Sequence, residues 1–189
     1  MRVWAATHNA HKMRELSVLF DGAEVLADNP EGVVEDAPDF AGNALLKVRA
    51  VAARHRGEWC IADDSGLEVA ALGGEPGVRS ARYAGERCDF AANNALLLER
   101  LAGVEDRRAR FVCAMAIVDP DGREHVVEGV CGGRIAESPS GSAGFGYDPL
   151  FLPDGSDVTF AEMGDSEKNR VSHRARASAE ARKVFEKWR

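Results

Sequence analysis

The stretch "EWCIADDSGLEVAALGG" at positions 58–74 decides how the chain is interpreted, because an apolar run there meets two adjacent carboxylates. The run is typical of a buried strand, and we expect the strand to end at Asp63 and Asp64. Neighbouring side chains of an extended chain point to opposite faces, so only one of these aspartates can easily face a binding cleft. Close carboxylates repel each other unless a cation or a proton lies between them. Mg²⁺ is the simplest candidate for that cation, because it prefers oxygen ligands and often shares them with substrate phosphates. The alternative is that one aspartate caps a turn at Ser65 and Gly66.

Strands and helices alternate on the N-terminal side of this stretch. Short strands are predicted at "RVWAAT" and "AEVLAD", and a helix is predicted at "HKMRELSVLF". A longer helix is predicted at "DFAGNALLKVRAVAARHRG", with Asp39 near its start and Gly57 just past its end.

The pattern changes on the C-terminal side. The segment "DFAANNALLLERLAG" predicts a helix that Asp89 caps and Gly103 stops. Two extended runs around "DPDG" predict a β-hairpin, a long loop rich in Gly, Pro and Ser follows, and the chain is helical from about Asp165. This order predicts an α/β fold with a mixed sheet.

Length and composition describe an ordinary globular chain. The 189 residues suit a single domain over 1–189, and no apolar run approaches the roughly 20 residues that span a bilayer. The N-terminus lacks the pattern of a signal peptide, so we expect a cytoplasmic protein without a membrane partner. The net charge of −7 argues against a protein that grips nucleic acid. The four cysteines lack zinc-site spacing and are expected to be mostly buried free thiols.

A polar turn, "THNAHK" at positions 7–12, joins the first strand to the first helix. Helix N-termini present free N–H groups to anions, and Lys12 adds a positive charge, so the turn is a candidate phosphate site. It lacks the glycines of a Walker loop. Alternatively, Thr7 or Asn9 simply caps the helix and Lys12 is a surface lysine.

Four further groups have both a functional and a structural interpretation. The acidic residues at 35–39 form either a solvated loop or a source of another metal ligand, and Lys47 either snorkels to water or reaches toward phosphate. In "GFGYDP", positions 144–149, the rings could stack on a base, or the segment is a turn packed by aromatics. In "EKNRVSHR", positions 167–174, Lys168, His173 and Arg174 have roughly helical spacing and form either a functional cluster or a solvated basic face. The segment shows no histidine-centred triad, so Ser–His catalysis is poorly supported.

Taken in order, four segments resemble the inosine triphosphate pyrophosphatase family: "THNAHKMRE", "ADDSGLEVAALGGEPGVRSARYAG", "GFGYDPLFLP" and "AEMGDSEKNRVSHRARA". The resemblance covers nearly the whole chain. It implies an elongated mixed β-sheet flanked by helices, with two lobes around a central nucleotide-binding cleft, and a homodimer. It also implies an Mg²⁺-dependent enzyme that hydrolyses dITP, ITP and XTP to the monophosphate and pyrophosphate, which removes deaminated purines from the nucleotide pool.

The resemblance further implies a role for individual residues. Asp64 matches a proton acceptor and metal ligand, and Glu35 matches a second metal ligand. Asp63 lies beside Asp64 as a further catalytic candidate, and either aspartate is expected to orient the attacking water. Lys47 matches a lysine directed at the phosphates. The positions that match substrate contacts are Thr7, His8, Asn9, Ala10, His11, Lys12, Ser65, Phe145, Gly146, Tyr147, Asp148, Lys168, His173 and Arg174.

Within this set, positions 7–12 match the triphosphate-binding segment and positions 145–148 match a base-binding loop. We expect His173 and Arg174 to donate to O6 of a 6-oxo purine. Adenine offers no acceptor there, and a buried donor left unpaired can discriminate by about 10⁴ or more.

Two positions depart from the family pattern. Gly42 lies where relatives usually carry a glutamate, and Arg79 lies where they usually carry an aromatic residue. Two rival functions remain open at this point: a related pyrophosphatase of different base choice, such as the Maf-like enzymes, and a non-catalytic nucleotide-binding regulator. The serine–histidine–arginine run ending at Arg174 argues against the first, and only Gly42 favours the second.

Overall fold

The computed structural model describes residues 1–186, which form six strands, six α-helices and two short 3₁₀ helices, Ala70–Leu72 and Gly77–Arg82. The strands are β1 (Arg2–Ala5), β2 (Glu24–Ala27), β3 (Trp59–Val69), β4 (Arg108–Val118), β5 (Glu124–Ile135) and β6 (Phe151–Pro153). The helices are α1 (Ala10–Leu19), α2 (Phe40–Ala52), α3 (Phe90–Arg100), α4 (Phe160–Met163), α5 (Asp165–Val171) and α6 (His173–Glu186). Residues 187–189 of the predicted domain lie outside the described residues.

The strands form one sheet in the order β2-β1-β3-β4-β5-β6. Strand β1 pairs in parallel with both β2 and β3, whereas β5 pairs with β6 in the antiparallel direction. The predicted hairpin joins β4 to β5, and Asp119 N–H donates to the Arg123 carbonyl at 3.0 Å across its turn. The prediction of an α/β fold with a mixed sheet is therefore confirmed.

Strand β3 is longer than the sequence predicts. It does not end at the two aspartates but continues through Ser65 and Gly66 to Val69, so the alternative of a turn at those two residues is wrong. The reason is packing, because Leu67 and Val69 are fully buried in an apolar cluster. The Ser80 hydroxyl also accepts from Leu67 N–H at 2.8 Å.

Three polar residues begin the long helices as N-caps. Asn9 rather than Thr7 caps α1, and Asp39 and Asp89 cap α2 and α3 through their side-chain oxygens. These caps satisfy N–H groups that have no partner within the helix. The predicted second helix ends earlier than expected, at Ala52.

Two further elements differ from the sequence prediction. Strand β6 lies within the predicted long loop, where three residues pair with β5. The C-terminal helical region is divided at Ser172 into α5 and α6.

Residue contacts divide the chain into two compact units. The first contains Met1–Asp64, Cys113–Gly129 and the chain from Arg174 onward, and the second contains Ser65–Val112 and Val130–His173. In the first unit, α1 and α6 pack against one face of its strands, and α2 packs against the other. The second unit has its own apolar core of strand, helix and loop residues, which is centred on Leu67, Phe111 and Phe151.

The structure also bears on the predictions for the cysteines and for membrane-spanning segments. Cys60, Cys113 and Cys131 are buried free thiols as predicted, and Cys88 is an exposed one. Within residues 1–186, no helix has the length and apolar character that a bilayer crossing requires.

Candidate active site

The pleat of β3 sends its two aspartates to opposite faces of the first unit. Ile61 packs into the cluster formed with α1 and α6, whereas Cys60 and Ala62 pack into the cluster formed with α2. Because strand side chains alternate, Asp63 follows Ile61 onto the α1 and α6 face, and Asp64 follows Ala62 onto the α2 face. The hydrogen-bond partners of the two carboxylates agree with this assignment.

The Asp64 cluster consists of Glu35, Asn43, Lys47 and Asp64. One carboxylate oxygen of Asp64 lies 3.4 Å from Lys47 Nζ, and the other accepts from Asn43 Nδ2 at 3.1 Å. Lys47 Nζ also lies 2.8 Å from Glu35 Oε2. Two carboxylates from different segments therefore converge on one ammonium group.

For both Asp64 and Lys47, burial shifts the pKa in one direction and the neighbouring charges shift it in the other. Burial raises the pKa of Asp64, and the positive charges of Lys47 and Lys12 offset this only in part. Burial alone would lower the pKa of Lys47, but the surrounding carboxylates outweigh it, so that pKa is raised and the ammonium stays charged. The cluster thus pairs a permanent cation with a carboxylate whose proton affinity is increased.

The Asp63 cluster consists of Lys12, Glu15, Asp63 and Arg174. Oδ2 of Asp63 lies 3.0 Å from Lys12 Nζ, and it accepts from Arg174 Nη2 at 2.8 Å and Nε at 3.2 Å. The Arg174 Nη1 group also donates to Glu15. The side chains of Asp63 and Arg174 are each 1% exposed, so this is a buried ion network.

The environment of Asp63 differs from that of Asp64. Burial alone would raise the pKa of Asp63, but Lys12 and Arg174 outweigh it and hold that pKa far below its usual range. Asp63 therefore remains ionised as an internal counter-ion, whereas burial raises the pKa of Asp64. The structure brings Lys12, Asp63 and Arg174 together, and it separates them by face from Asp64.

Several N–H groups of the polar turn that was predicted to bind phosphate already donate hydrogen bonds to side chains within the turn. Asn9 Oδ1 accepts from the N–H groups of His11 and Lys12 at 2.9 and 3.3 Å, and Thr7 Oγ1 accepts from Asn9 N–H. The side chains of His8, Ala10 and His11 are exposed. The ammonium group of Lys12 is thus the strongest feature in this turn for binding an anion.

The Asp148 cluster, in the second unit, consists of Phe145, Asp148 and Lys168. Oδ2 of Asp148 accepts from Phe145 N–H at 2.9 Å and from Lys168 Nζ at 2.7 Å. The same ammonium group lies 5.0 Å from the centre of the Phe145 ring. A buried ion pair therefore fixes the loop that the resemblance associates with the purine base.

Gly144 is required by the close approach of Asp148. Its φ is +76°, and a Cβ atom there would lie 2.0 Å from Asp148 Oδ2. We expect Gly144→Ala to displace the carboxylate and to lower the free energy of unfolding by more than the roughly 1–3 kcal/mol of backbone strain alone. Urea denaturation would measure this. Gly155→Ala is the matched control, since Gly155 has a φ of +79° and open space around it; an equal loss in both variants would contradict the prediction.

The remaining predicted residues of the second unit have structural partners. The Tyr147 hydroxyl donates to the Ser80 carbonyl at 2.8 Å, and burial raises the pKa of this tyrosine. The His173 ring stacks on Phe111 with centroids 4.7 Å apart. Ser65 and Gly146 are half-buried, in β3 and in the base loop respectively. Of the two candidate stacking rings, Phe145 is the more accessible.

Sequence reasoning missed two members of these clusters, Glu15 and Asn43. Both lie in helices, on the same faces as residues that were singled out. Asn43 is four residues before Lys47 and Glu15 is three residues after Lys12, which are spacings that place helix side chains side by side. That spacing was the available signal.

Comparisons with known proteins agree with the resemblance in the sequence. Residues 3–184 match the model of the Ham1 family. The chain is 50% identical to a dITP/XTP pyrophosphatase of Leifsonia xyli subsp. xyli, over 95% of this chain and 92% of that protein. It is 46% identical to a dITP/XTP pyrophosphatase of Opitutus terrae, over 95% and 96% of the two chains.

A solved structure shares the fold. The Staphylococcus aureus Ham1 protein superposes with a TM-score of 0.88 at 38% identity, and the match covers 100% of both chains.

Proposed function

The chain belongs to the Ham1 family, and on that premise we propose that it is a nucleoside-triphosphate pyrophosphatase. It hydrolyses non-standard purine nucleoside triphosphates, dITP, ITP and XTP, to the monophosphate and pyrophosphate. The environment of the Asp64 carboxylate is the observation that supports this reaction most strongly. This carboxylate has a raised pKa, it is held by donors on both oxygens, and it lies beside a second carboxylate and a buried lysine.

Mg²⁺ is the cofactor that we propose for this reaction. Among residues 1–186, no three histidine, cysteine, aspartate or glutamate side chains come together as a metal site, so the protein supplies only part of a coordination shell. Glu35 and Asp64 nevertheless converge on the same cation, Lys47 Nζ. One or two carboxylates, with substrate phosphates and water, is the usual way in which proteins bind this ion. When bound, Mg²⁺ neutralises phosphate charge.

We assign the catalytic roles to Asp64, Lys12 and Lys47. Asp64 accepts a proton from the attacking water, whose oxygen bonds to the α-phosphorus as the bond to the pyrophosphate oxygen breaks. A carboxylate with a raised pKa is a better proton acceptor at neutral pH than an ordinary one. The raised pKa of Lys47 keeps its ammonium group charged, and Lys12 Nζ lies 3.0 Å from Asp63, so both side chains can offer positive charge to the phosphates. Stabilising this developing charge is the main task of enzymes that transfer phosphoryl groups.

We assign base recognition to Phe145, Lys168 and His173. Phe145 offers a ring face, and Lys168 lies next to it with an ammonium group that can donate to O6 of a 6-oxo purine. His173 remains a candidate for a second donor. The Arg174 guanidinium faces Asp63 and Glu15, so we propose that its first task is to hold those carboxylates.

We further propose that the protein acts as a homodimer in the cytoplasm. The proposal for the compartment rests on the substrate, since triphosphates that escape hydrolysis there reach the polymerases. The proposal for the dimer rests on the family resemblance in the sequence. Sedimentation of the purified protein would test the dimer.

The substrate specificity is tested by one panel of reactions. The purified protein with Mg²⁺ is incubated with ITP, dITP, XTP, GTP and ATP, and orthophosphate and pyrophosphate are assayed separately. We expect pyrophosphate from the first three, little product from GTP or ATP, and no turnover after chelation of the metal. Orthophosphate as the sole product would overturn cleavage at the α-phosphorus. Binding of ITP without turnover would favour a nucleotide-binding regulator.

A further inference from the structure

The buried side chain of Asn43 links the Asp64 carboxylate to the backbone of the segment that carries Glu35. Its Nδ2 donates to Asp64 Oδ2 at 3.1 Å, and its Oδ1 accepts from Ala37 N–H at 3.0 Å. Ala37 is two residues after Glu35, in the segment that leads into α2. The amide orientation is set by these partners, because only its NH₂ group can donate to a carboxylate and only its oxygen can accept from an N–H. One side chain of 2% exposure therefore fixes both Asp64 and the segment that carries Glu35.

Asn43 acts together with Lys47, which lies one turn later on the same face of α2. Asn43 holds one oxygen of Asp64, and Lys47 contacts the other oxygen and also Glu35. The two donors differ in kind. Lys47 contributes charge from a flexible side chain, whereas the short amide of Asn43 contributes fixed geometry.

Gly42 permits the close approach that Asn43 needs. A Cβ atom at this position would lie 2.6 Å from Ala37 Cβ and 3.2 Å from Asp39 Oδ1. Any larger residue would push the Ala37 segment away from α2 and lengthen its hydrogen bond to Asn43. In this chain, Gly42 thus packs against Ala37 too closely for a side chain to fit without a shift of the backbone.

The start of α3 repeats this local arrangement without the carboxylates. "DFAGN" begins α2 and "DFAAN" begins α3, and Asn93 occupies the position that corresponds to Asn43. Asn93 is equally buried, and its Oδ1 accepts from Ala84 N–H at 2.7 Å. Its Nδ2 donates to the carbonyls of Ser80 and Ala81 instead of to a carboxylate. The comparison separates the structural use of this asparagine, which both helices share, from the contact that only Asn43 makes.

We propose that Asn43 is a positioning residue that sets the spacing of the Glu35 and Asp64 carboxylates and thereby the affinity of the site for a divalent cation. The inference rests on the proposed function, since it assigns these two carboxylates to Mg²⁺. Side chains that orient metal ligands through hydrogen bonds typically contribute a factor of about 10–100 in metal affinity or activity.

The test compares Asn43→Ala with Asn93→Ala and the unmodified protein. Two quantities are measured in each: the rise in Tm during a titration with MgCl₂ alone, and the Mg²⁺ concentration that gives half-maximal hydrolysis of ITP. Both substitutions remove a buried asparagine, and we expect both to lower Tm. Only Asn43→Ala is expected to shift the two Mg²⁺ titrations to higher concentration, by about tenfold or more.

The outcomes distinguish this inference from the proposed function. Unchanged Mg²⁺ titrations in Asn43→Ala would overturn the positioning role, as would an equal shift in Asn93→Ala. If Asn43→Ala does not fold, Gly42→Ala takes its place in the test. This substitution displaces the Ala37 segment but keeps the Asn43 side chain. We expect it to shift both Mg²⁺ titrations to higher concentration, and unchanged titrations would overturn the positioning role. Failure of the unmodified protein to release pyrophosphate would refute the proposed function, and the titration of Tm would still test Asn43.

Discussion

Asp64→Asn is expected to reduce the rate of pyrophosphate release by about 10³-fold or more, because a positioned proton acceptor alone typically contributes 10²–10⁴-fold. Asparagine has nearly the same shape as aspartate, but it has neither the negative charge that a metal ligand needs nor an oxygen of sufficient basicity. The variant should fold normally. Burial already disfavours the charge of Asp64, as its raised pKa shows, so a neutral group there costs the folded state little.

The measurement is the initial rate of pyrophosphate release at saturating ITP and Mg²⁺, together with urea denaturation. Asp39→Asn is the matched control, since Asp39 caps α2 near the same cluster and asparagine is an equally good N-cap. That control should retain both rate and stability. Near-normal turnover by Asp64→Asn would refute its assignment as the proton acceptor.

Asp63→Asn is expected to affect stability rather than the rate in the first place. We expect it to lower the free energy of unfolding by about 3 kcal/mol or more. The Asp63 carboxylate compensates the buried guanidinium of Arg174 and the ammonium of Lys12. An asparagine fills the same volume and leaves no cavity, so the loss measures the missing charge. Removing one partner of a buried ion pair is costly because the other charge remains in a medium that solvates it poorly.

Urea denaturation at neutral pH measures this loss. Asp121→Asn is the matched control, because Asp121 forms an ion pair with Arg123 in which both side chains are more than half exposed. Exposed pairs contribute less than about 1 kcal/mol, so the control should be nearly neutral. If Asp63→Asn were as mild as Asp121→Asn, the Asp63 network would not be an important source of stability.

The contrast between the two variants follows from the pleat of one strand. Two chemically identical neighbours lie on opposite faces of β3, and each face has a different helix packed against it. Asp63 meets the cations of α1 and α6, and Asp64 meets the amide and lysine of α2. The sequence predicts that the side chains diverge, but it does not say which partner each one finds.

The sequence by itself determined the features that depend on near neighbours. Apolar spacing predicted strands β1 and β2 and helix α1, the polar residues before α2 and α3 predicted their caps, and "DPDG" predicted the hairpin. The order of four motifs also indicated the family, which the comparisons confirm. These signals are local, because each depends on residues within a turn or two of the chain.

Only the tertiary structure decided the features that depend on distant partners. Strand β3 continues past its aspartates because Leu67 and Val69 enter a core built from other segments. Asp63 is paired with Arg174, which is 111 positions away, and Asn43 is paired with Asp64, 21 positions away. Such pairs have no signature in the local sequence. Their charges, burial and proton affinities exist only once the chain has brought the partners together and excluded water from between them.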